Sequence, residues 1–407
     1  MRVEPRVAFF TDSYLEVNGV AQTSRQFAAF AKRRGLPMLC VHAGPRTEVI
    51  ADGSVTRLAL KRTSVGFRIE SDQRYDMLMW RHTKRVVQKL REFNPDLIHI
   101  TGPSDIGQLG AYVASKLRLP VVISWHTNLH EYAGRRLNGI IPFLPGRLRA
   151  ALVKLAERQS LRLLLEFYKI GRVVLAPNEE LGELLKRGCG KPVFLMRRGV
   201  DTSIFSPAKR DRRDGAFTLG YVGRLTPEKN VRFLAELEKE LLASGRDDFR
   251  FLIVGTGSEL GWLEQNMRRA EFTGVLKDEA LARAYANLDI FIFPSQTDTF
   301  GNVVLEAQAS GIPAIVSANG GPKFIIRDGI TGYIAGDRRD FFAATIALMS
   351  QSEKLVKMRE EARELARGES WDNIFEQVLR AYSFSLQHTA DARQLAAAVP
   401  IVSPEEI

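Results

Sequence analysis

The sequence predicts an α/β chain of two doubly wound domains, each a parallel sheet covered by helices on both faces, facing each other across a cleft. Three observations predict it. Short runs that are apolar on both faces alternate with longer segments of helical period along almost the whole chain. The alternation restarts once, after a charged stretch without apolar periodicity. The 407 residues, 45% of them hydrophobic, suffice for two cores of ordinary size.

The elements follow in order. Arg6–Thr11 (RVAFFT) reads as the first strand, followed by a loop and a helix over about Val20–Arg34. Pro37–His42, Asp96–Thr101, Val121–His126, Val173–Pro177 and Val193–Met196 are the further strands of the first half. Arg197–Asp214, charged and containing Pro207, separates the halves, so the domains are expected over residues 1–200 and 201–370. The second half repeats the pattern with strands at Thr218–Val222, Arg250–Val254, Glu271–Thr273, Asp289–Pro294 and Ala314–Ser317. A last long helical region runs from Asp340 to about Gln387. The polar, Ala-rich tail 389–407 is expected to be poorly ordered. In open sheets of this kind, ligands bind beyond the carboxyl ends of the strands.

Composition narrows the partners. Cys40 and Cys189 are too few for a disulfide framework and lack metal-ligand spacing, which fits a reducing compartment. Met1–Pro5 leads directly into the first strand without a signal-peptide pattern, and no run is long and apolar enough to span a membrane. A soluble, cytoplasmic protein is therefore expected. The net charge of +11 is uneven: residues 1–200 carry 33 Lys/Arg against 17 Asp/Glu, which leaves −5 for the remainder. A basic half suits nucleic acid, anionic lipid or a phosphorylated substrate, or is simply a solvated arginine surface. With neither an RNA-recognition signature nor zinc-finger spacing, nucleic acid is not an expected partner. Arg135–Lys169 mixes Leu, Ile and Phe with arginines. It reads either as a basic amphipathic helix on an anionic membrane or as a helix whose Leu face packs into its own domain.

Four segments carry chemistry. In Phe293–Gly311 (FPSQTDTFGNVVLEAQASG) a buried strand gives way to a polar loop, and a helix begins near Gly301. Gly301 admits close approach of a ligand, and the amides of Asn302, Val303 and Val304 at the helix start favour phosphate oxygens. Asp298 before this turn and Glu306 one turn inside the helix offer acceptors for vicinal hydroxyls of a ribose or hexose. Either carboxylate alone also serves as a capping partner. Flanking a phosphate-binding turn together, they are what a nucleotide sugar needs. In Gly220–Asn230 (GYVGRLTPEKN), Arg224 and Lys229 flank a tight turn where two cations neutralise a diphosphate leaving group, although taken alone they read as surface charges. In Thr11–Gly19 (TDSYLEVNG), Asn18 and Gly19 open a helix and are candidates for close approach to phosphate or sugar, without a G-x-G-x-x-G fingerprint. In Ser124–His130 (SWHTNLH), His126 ends a buried strand and is a candidate contact to a transferred sugar, against the plain reading of a structural histidine.

Together these segments resemble the family 4 retaining glycosyltransferases of the GT-B fold, with two Rossmann-like domains, from about Arg6 to Tyr382. The likeness is most specific at GRLTPEKN, VGTGSEL, FTGVL, Asp298–Gly311 and GGPKFIIRDGITGYI. The resemblance implies that Glu306 binds the donor ribose and that Asp298 contacts the sugar. Arg224, Lys229 and the amides of Gly301–Val304 would hold the diphosphate, His126 would touch the sugar, and Gly19 would lie against phosphate. Gly255–Gly257 and Gly274–Leu276, with Gly255, Val275 and Leu276 foremost, would frame the base. It also implies a late helix, about 371–385, packing back on the first domain, and a nucleotide sugar as donor with neither cofactor nor metal. Within the family, the likeness is greatest to bacterial enzymes that glycosylate lipids, GDP-mannose-dependent ones among them. That makes a lipid or glycolipid acceptor and peripheral membrane association the expectation, with a UDP-sugar donor as the alternative. Two departures stand out: Asp298 occupies a position where Glu is commoner, and Asn18 precedes Gly19 where many relatives carry a glycine pair. Two rival readings are a non-hydrolysing nucleotide-sugar epimerase and an inactive nucleotide-sugar-binding homologue.

Overall fold

The computed structural model of the chain describes residues 4–16, 18–68, 74–212 and 214–398. It divides into two compact units, residues 1–196 with 375–407, and residues 197–374. In the first unit the strands are β1 (Val7–Thr11), β2 (Met38–Gly44), β3 (Glu48–Asp52), β4 (Val55–Lys61), β5 (Gly66–Arg68), β6 (Arg74–Asp76), β7 (Leu97–Ile100), β8 (Val121–Ser124), β9 (Val173–Ala176) and β10 (Val193–Leu195). Its helices are α1 (Gly19–Arg34), α2 (Thr83–Phe93), α3 (Asp105–Leu117), α4 (Leu129–Ile140), α5 (Gly146–Tyr168) and α6 (Glu179–Cys189). Eight strands form one sheet in the order β10-β9-β8-β7-β1-β2-β4-β3, and β5 pairs with β6 separately. Every pairing in the large sheet is parallel except β3 with β4.

The parallel core is what the two-sided apolar runs predict: Phe10, Ile98, Ile100, Ile123 and Val174 lie in one cluster of fully buried side chains, each contributing about 1.5–3 kcal/mol on burial. The antiparallel edge departs from the all-parallel expectation. Its signal is the Asp52-Gly53 pair, a hairpin turn with Gly53 at φ 63°, between a wholly exposed strand and a largely buried one.

The second unit holds β11 (Phe217–Val222), β12 (Phe249–Val254), β13 (Ala270–Gly274), β14 (Ile290–Phe293), β15 (Ala314–Ser317) and β16 (Gly332–Ala335). Its helices are α7 (Arg232–Ala243), α8 (Leu260–Asn266), α9 (Asp278–Ala286), α10 (Asn302–Ala309), α11 (Arg338–Ser350) and α12 (Ser352–Gly368). The sheet runs β13-β12-β11-β14-β15-β16, parallel throughout. Strand order reverses between β11 and β14 here, and between β1 and β7 in the first unit. In open α/β sheets generally, such reversals are the points where ligands are received.

Two helical expectations change. Arg135–Lys169 is not one helix: Pro142 and Pro145 interrupt it, leaving α4 and α5, which pack so closely that a Cβ at Gly134 would strike Glu157. Leu161, Leu164, Leu165 and Phe167 pack on the core, whereas Ile140, Phe143 and Leu163 are 70%, 78% and 73% exposed. The region from Asp340 is three helices, α11, α12 and α13 (Trp371–Ala398). α13 runs past the expected end near Gln387, in keeping with its Ala-rich sequence. Of the tail expected from Thr389 onward, residues 399–407 lie outside the described residues. From Phe375 on, α13 belongs to the first unit, where Phe375 stacks on Phe27 at 4.7 Å and Glu376 pairs with Arg34 at 2.6 Å. No described helix is long and apolar enough to cross a membrane.

Candidate active site

At the β11–β14 switch point, the chain leaves β11 through Gly223 into the Arg224–Asn230 loop and leaves β14 into the Pro294–Gly301 loop. The two loops meet in an ion pair. Lys229 Nζ lies 2.6 Å from Asp298 Oδ1, with both side chains mostly buried. Burial pushes the Asp298 carboxyl up, but the Lys229 ammonium and the Arg224 charge outweigh it and hold the group below the usual carboxylate range. Asp298 Oδ2 is buried and has no hydrogen bond of good geometry among the described residues, although the Ser295 hydroxyl also helps to hold the carboxyl down. Arg224, at 3.8 Å from Glu228, is the more exposed of the two cations. Glu228 in turn accepts a 2.6 Å hydrogen bond from Thr226, and its carbonyl accepts one from Thr297 at 3.2 Å, which ties the loops together.

Gly301 caps α10 with φ 100°, a left-handed conformation that glycine alone adopts without strain. A Cβ there would come within 2.9 Å of Pro322. Behind the loop, Gly321 donates its amide to the Asp298 carbonyl at 2.6 Å, and a Cβ on Gly321 would fall onto the Thr299 carbonyl. Asn302 and Val303 head the helix, where first-turn amides lack intrahelical acceptors. Val304 corrects the expectation that three amides face a phosphate: its N–H donates to the Gly301 carbonyl at 2.9 Å, closing a tight first turn. Glu306 is buried one turn further in and accepts a 3.0 Å hydrogen bond from Tyr285 of α9.

The glycines of VGTGSEL have a structural cause. Gly255, at φ 140°, leaves no room for a Cβ against the Gly223 carbonyl, and Gly257 leaves none against Leu225. The two loops are laced by Gly223 N–H to Val254 O and Leu225 N–H to Thr256 O, each 3.0 Å. Val275 is 55% exposed and Leu276 partly buried, on the turn that follows Gly274.

In the first unit, Asn18 acts as the N-cap of α1, its Oδ1 accepting from Ala21 N–H at 2.9 Å, with Gly19 as the first helical residue. His126 stands two residues beyond the end of β8, in a pocket it shares with Asp12, Thr101, Gly102, Ser104 and Tyr168. Sequence reasoning missed Asp12. It follows β1 directly at the β1–β7 switch point, takes a hydrogen bond from Ser104, and has its amide bonded to Thr101 Oγ1 at 2.9 Å. Burial pushes its carboxyl up to about 7. Its only sequence signal was its place at a strand end opposite the Gly102 turn.

Both halves of the chain match known proteins. A family model described as Glycosyltransferase Family 4 matches residues 17–204, and one described as Glycosyl transferases group 1 matches residues 216–351. The GDP-mannose-dependent alpha-mannosyltransferase of Mycolicibacterium smegmatis is 30% identical, over 81% of this chain and 84% of its own. The chain belongs to the family 4 glycosyltransferases. The enzyme of the same name from Corynebacterium glutamicum is 29% identical over 97% of this chain and 91% of its own. Among solved structures, Anabaena HepE in complex with UDP and glucose superposes with a TM-score of 0.65 at 17% identity, covering 93% of this chain and 100% of that one. Sucrose-phosphate synthase from Thermosynechococcus elongatus gives 0.67 at 18%, covering 97% and 100%. The fold of this glycosyltransferase is therefore GT-B, and its activity is hexose transfer from a nucleotide sugar.

Proposed function

We propose that this glycosyltransferase moves mannose from GDP-mannose to a hydroxyl of a lipid-borne acceptor, with retention of configuration and without a metal. The observation that carries the reading is the Lys229–Asp298 pair at the β11–β14 switch point, set beside the amino end of α10. In the reaction the anomeric C–O bond to the diphosphate breaks, and the electron pair leaves with the phosphate. The acceptor oxygen bonds to the same face of the anomeric carbon, and its proton passes to the departing phosphate oxygen. Lys229 and Arg224 neutralise the growing phosphate charge, assisted by the helix dipole at Asn302 and Val303. Asp298 Oδ2 accepts from a hydroxyl of the sugar, Glu306 accepts from the ribose, and Gly255, Val275 and Leu276 flank the base. In the first unit, His126 faces a substrate oxygen, and Asn18 and Gly19 lie close to the donor's phosphates.

GDP-mannose is preferred because relatives at 29–30% identity over most of the chain bear that donor in their names. The lipid acceptor is preferred because α4, α5 and the segment between them combine exposed Ile140, Phe143 and Leu163 with Arg136, Arg147, Arg149, Lys154, Arg158 and Arg162. The test is turnover and thermal shift with GDP-mannose, UDP-glucose and ADP-glucose, in chelator and then in magnesium. A shift and product with GDP-mannose alone, unchanged by chelator, is the expected result. A shift with UDP-glucose alone transfers the assignment to that donor. Binding without transfer makes the chain an inactive homologue, and interconversion of the free nucleotide sugars makes it an epimerase. Sedimentation with phosphatidylglycerol vesicles but not phosphatidylcholine vesicles supports the membrane part, and sedimentation with neither overturns it.

A further inference from the structure

Four side chains of the first unit form a hydrogen-bonded line from α13 to the pocket. Tyr382 Oη lies 2.6 Å from His99 Nδ1, His99 Nε2 lies 2.9 Å from Ser124 Oγ, and Ser124 Oγ lies 2.7 Å from His126 Nε2. Tyr382 and His99 are fully buried, and Ser124 nearly so. The direction of the line follows from counting protons. Burial alone drives His99 down to about 3, so its ring is neutral and carries a single N–H. Burial also holds the Tyr382 phenol in its protonated form. That O–H has one partner among the described residues, His99 Nδ1. Were His99 Nδ1 the donor, the phenol proton would be left buried without an acceptor, a loss of about 1–3 kcal/mol. Tyr382 therefore donates to Nδ1, the His99 proton sits on Nε2, and Nε2–H donates to Ser124. With that lone pair filled, the Ser124 hydroxyl donates onward. Its choices are His126 Nε2 at 2.7 Å and the Ile100 carbonyl at 3.5 Å, and the shorter contact wins.

We propose that Tyr382, acting through His99 and Ser124, fixes the His126 imidazole in its Nδ1–H tautomer, so that Nδ1 of this ring acts as a hydrogen-bond donor and not as an acceptor. Tyr382, His99 and Ser124 are positioning residues, and of the four only His126 lines the pocket. The consequence for turnover rests on the proposed function, in which His126 faces a substrate oxygen, whereas the tautomer itself does not.

The test reads both. Long-range ¹H–¹⁵N spectra of the substrate-free full chain, labelled in histidine, distinguish Nδ1–H from Nε2–H rings. Wild type is expected to show His126 protonated at Nδ1. Tyr382→Phe keeps the ring packing and removes the proton that orients the line, so His126 is expected to shift to a mixture of tautomers. Turnover should fall about tenfold in Tyr382→Phe and in Ser124→Ala, with KM for the donor within about twofold. In the double variant, turnover should be no lower than in Ser124→Ala alone, because both changes cut one line. An unchanged His126 signature in Tyr382→Phe, or losses that multiply in the double variant, overturns the proposal. His126→Ala with undiminished turnover would instead overturn the use of His126 in the reaction, and the ring spectra would still decide the line by themselves. Melting curves accompany each variant, and Ser124→Ala supplies the tautomer readout should Tyr382→Phe not fold.

Discussion

At the β11–β14 switch point of the second unit, the candidate groups are acids and bases set against one another: Lys229 pairs with Asp298, Arg224 stands by Glu228, and Glu306 is held by Tyr285. At the β1–β7 switch point of the first, Asp12 and His126 share the pocket with Arg62, whose charge is already met by Asp105 and Glu16. Burial pushes Asp12 up to about 7, and the line behind His126 runs through an uncharged His99. The two sheets bring the same topological feature to each place and surround it with different chemistry. Topology selects where a ligand is received, and the dielectric and charge of the local side chains select which kind. A charged, partly solvated site suits a diphosphate. A buried, hydrogen-bonding one suits hydroxyl groups, whose recognition rests on unpaired donors and acceptors rather than on net charge.

The comparison breaks most readily at Lys229. Lys229→Ala removes one of two cations and leaves Asp298 buried without its partner, so kcat should fall ~10²–10³-fold. Circular dichroism should remain native and the melting temperature should drop. Near-normal turnover would mean that charge at this switch point does not serve the reaction. Next in size, Gly255→Ala forces a side chain against the Gly223 carbonyl at φ 140° and should cost ~3 kcal/mol in urea unfolding. Gly274→Ala, at φ 68° with open space around it, should cost about 1 kcal/mol. Equal costs would mean that the lacing of the β11 and β12 loops does not hold the cation loop in place.

Asp12 sharpens the contrast from the other side. Its folded-state pKa lies above the value of 3.8 it has in an open chain, so at intermediate pH the folded protein keeps a proton that the unfolded chain has released. The stability this gives is complete below about pH 4 and is lost as the pH rises toward 7. Asp12→Asn does not titrate, so its melting temperature relative to wild type should climb by about 3–6 °C between about pH 5 and pH 8. A flat difference would mean that Asp12 is solvated and charged. The smallest expected effect is at Tyr285. Tyr285→Phe removes the 3.0 Å hydrogen bond to Glu306 and should raise the donor KM about three- to fivefold with kcat unchanged. An unchanged KM would detach Glu306 from donor binding.

Much of the fold and of the site is legible in the chain, for physical reasons that can be named. The run Ile290–Phe293 is apolar on both faces because β14 is buried on both, and Asp298 and Gly301 follow at a distance that leaves room for one loop. The turn Arg224–Lys229 is marked by Pro227, which starts its 3-10 turn. What escapes a linear reading is contact across long sequence separation. Nothing near Lys229 announces that Asp298 will be its ion partner 69 residues on, and nothing near His99 announces Tyr382, 283 residues on. Asp12 escapes because a single aspartate after a strand is common, and its burial depends on Thr101, Gly102 and Ser104 from another strand end. The Val304 amide defeats the general rule that helix starts are open, because Gly301 at φ 100° turns its carbonyl to accept that N–H.

The helix α13 has a consequence for the order in which the protein is made. Phe27 and Phe30 of α1 are covered by Phe375, and His99 finds its phenol only in Tyr382. While the ribosome is still producing the second unit, the first therefore carries a bare aromatic face and a buried imidazole without its donor. At roughly 5–20 residues per second, that interval lasts many seconds. The N-terminal unit must wait for the end of the chain to finish its own core, so a truncation just before Phe375 would leave it sticky throughout its lifetime, although every strand of its sheet had been synthesised.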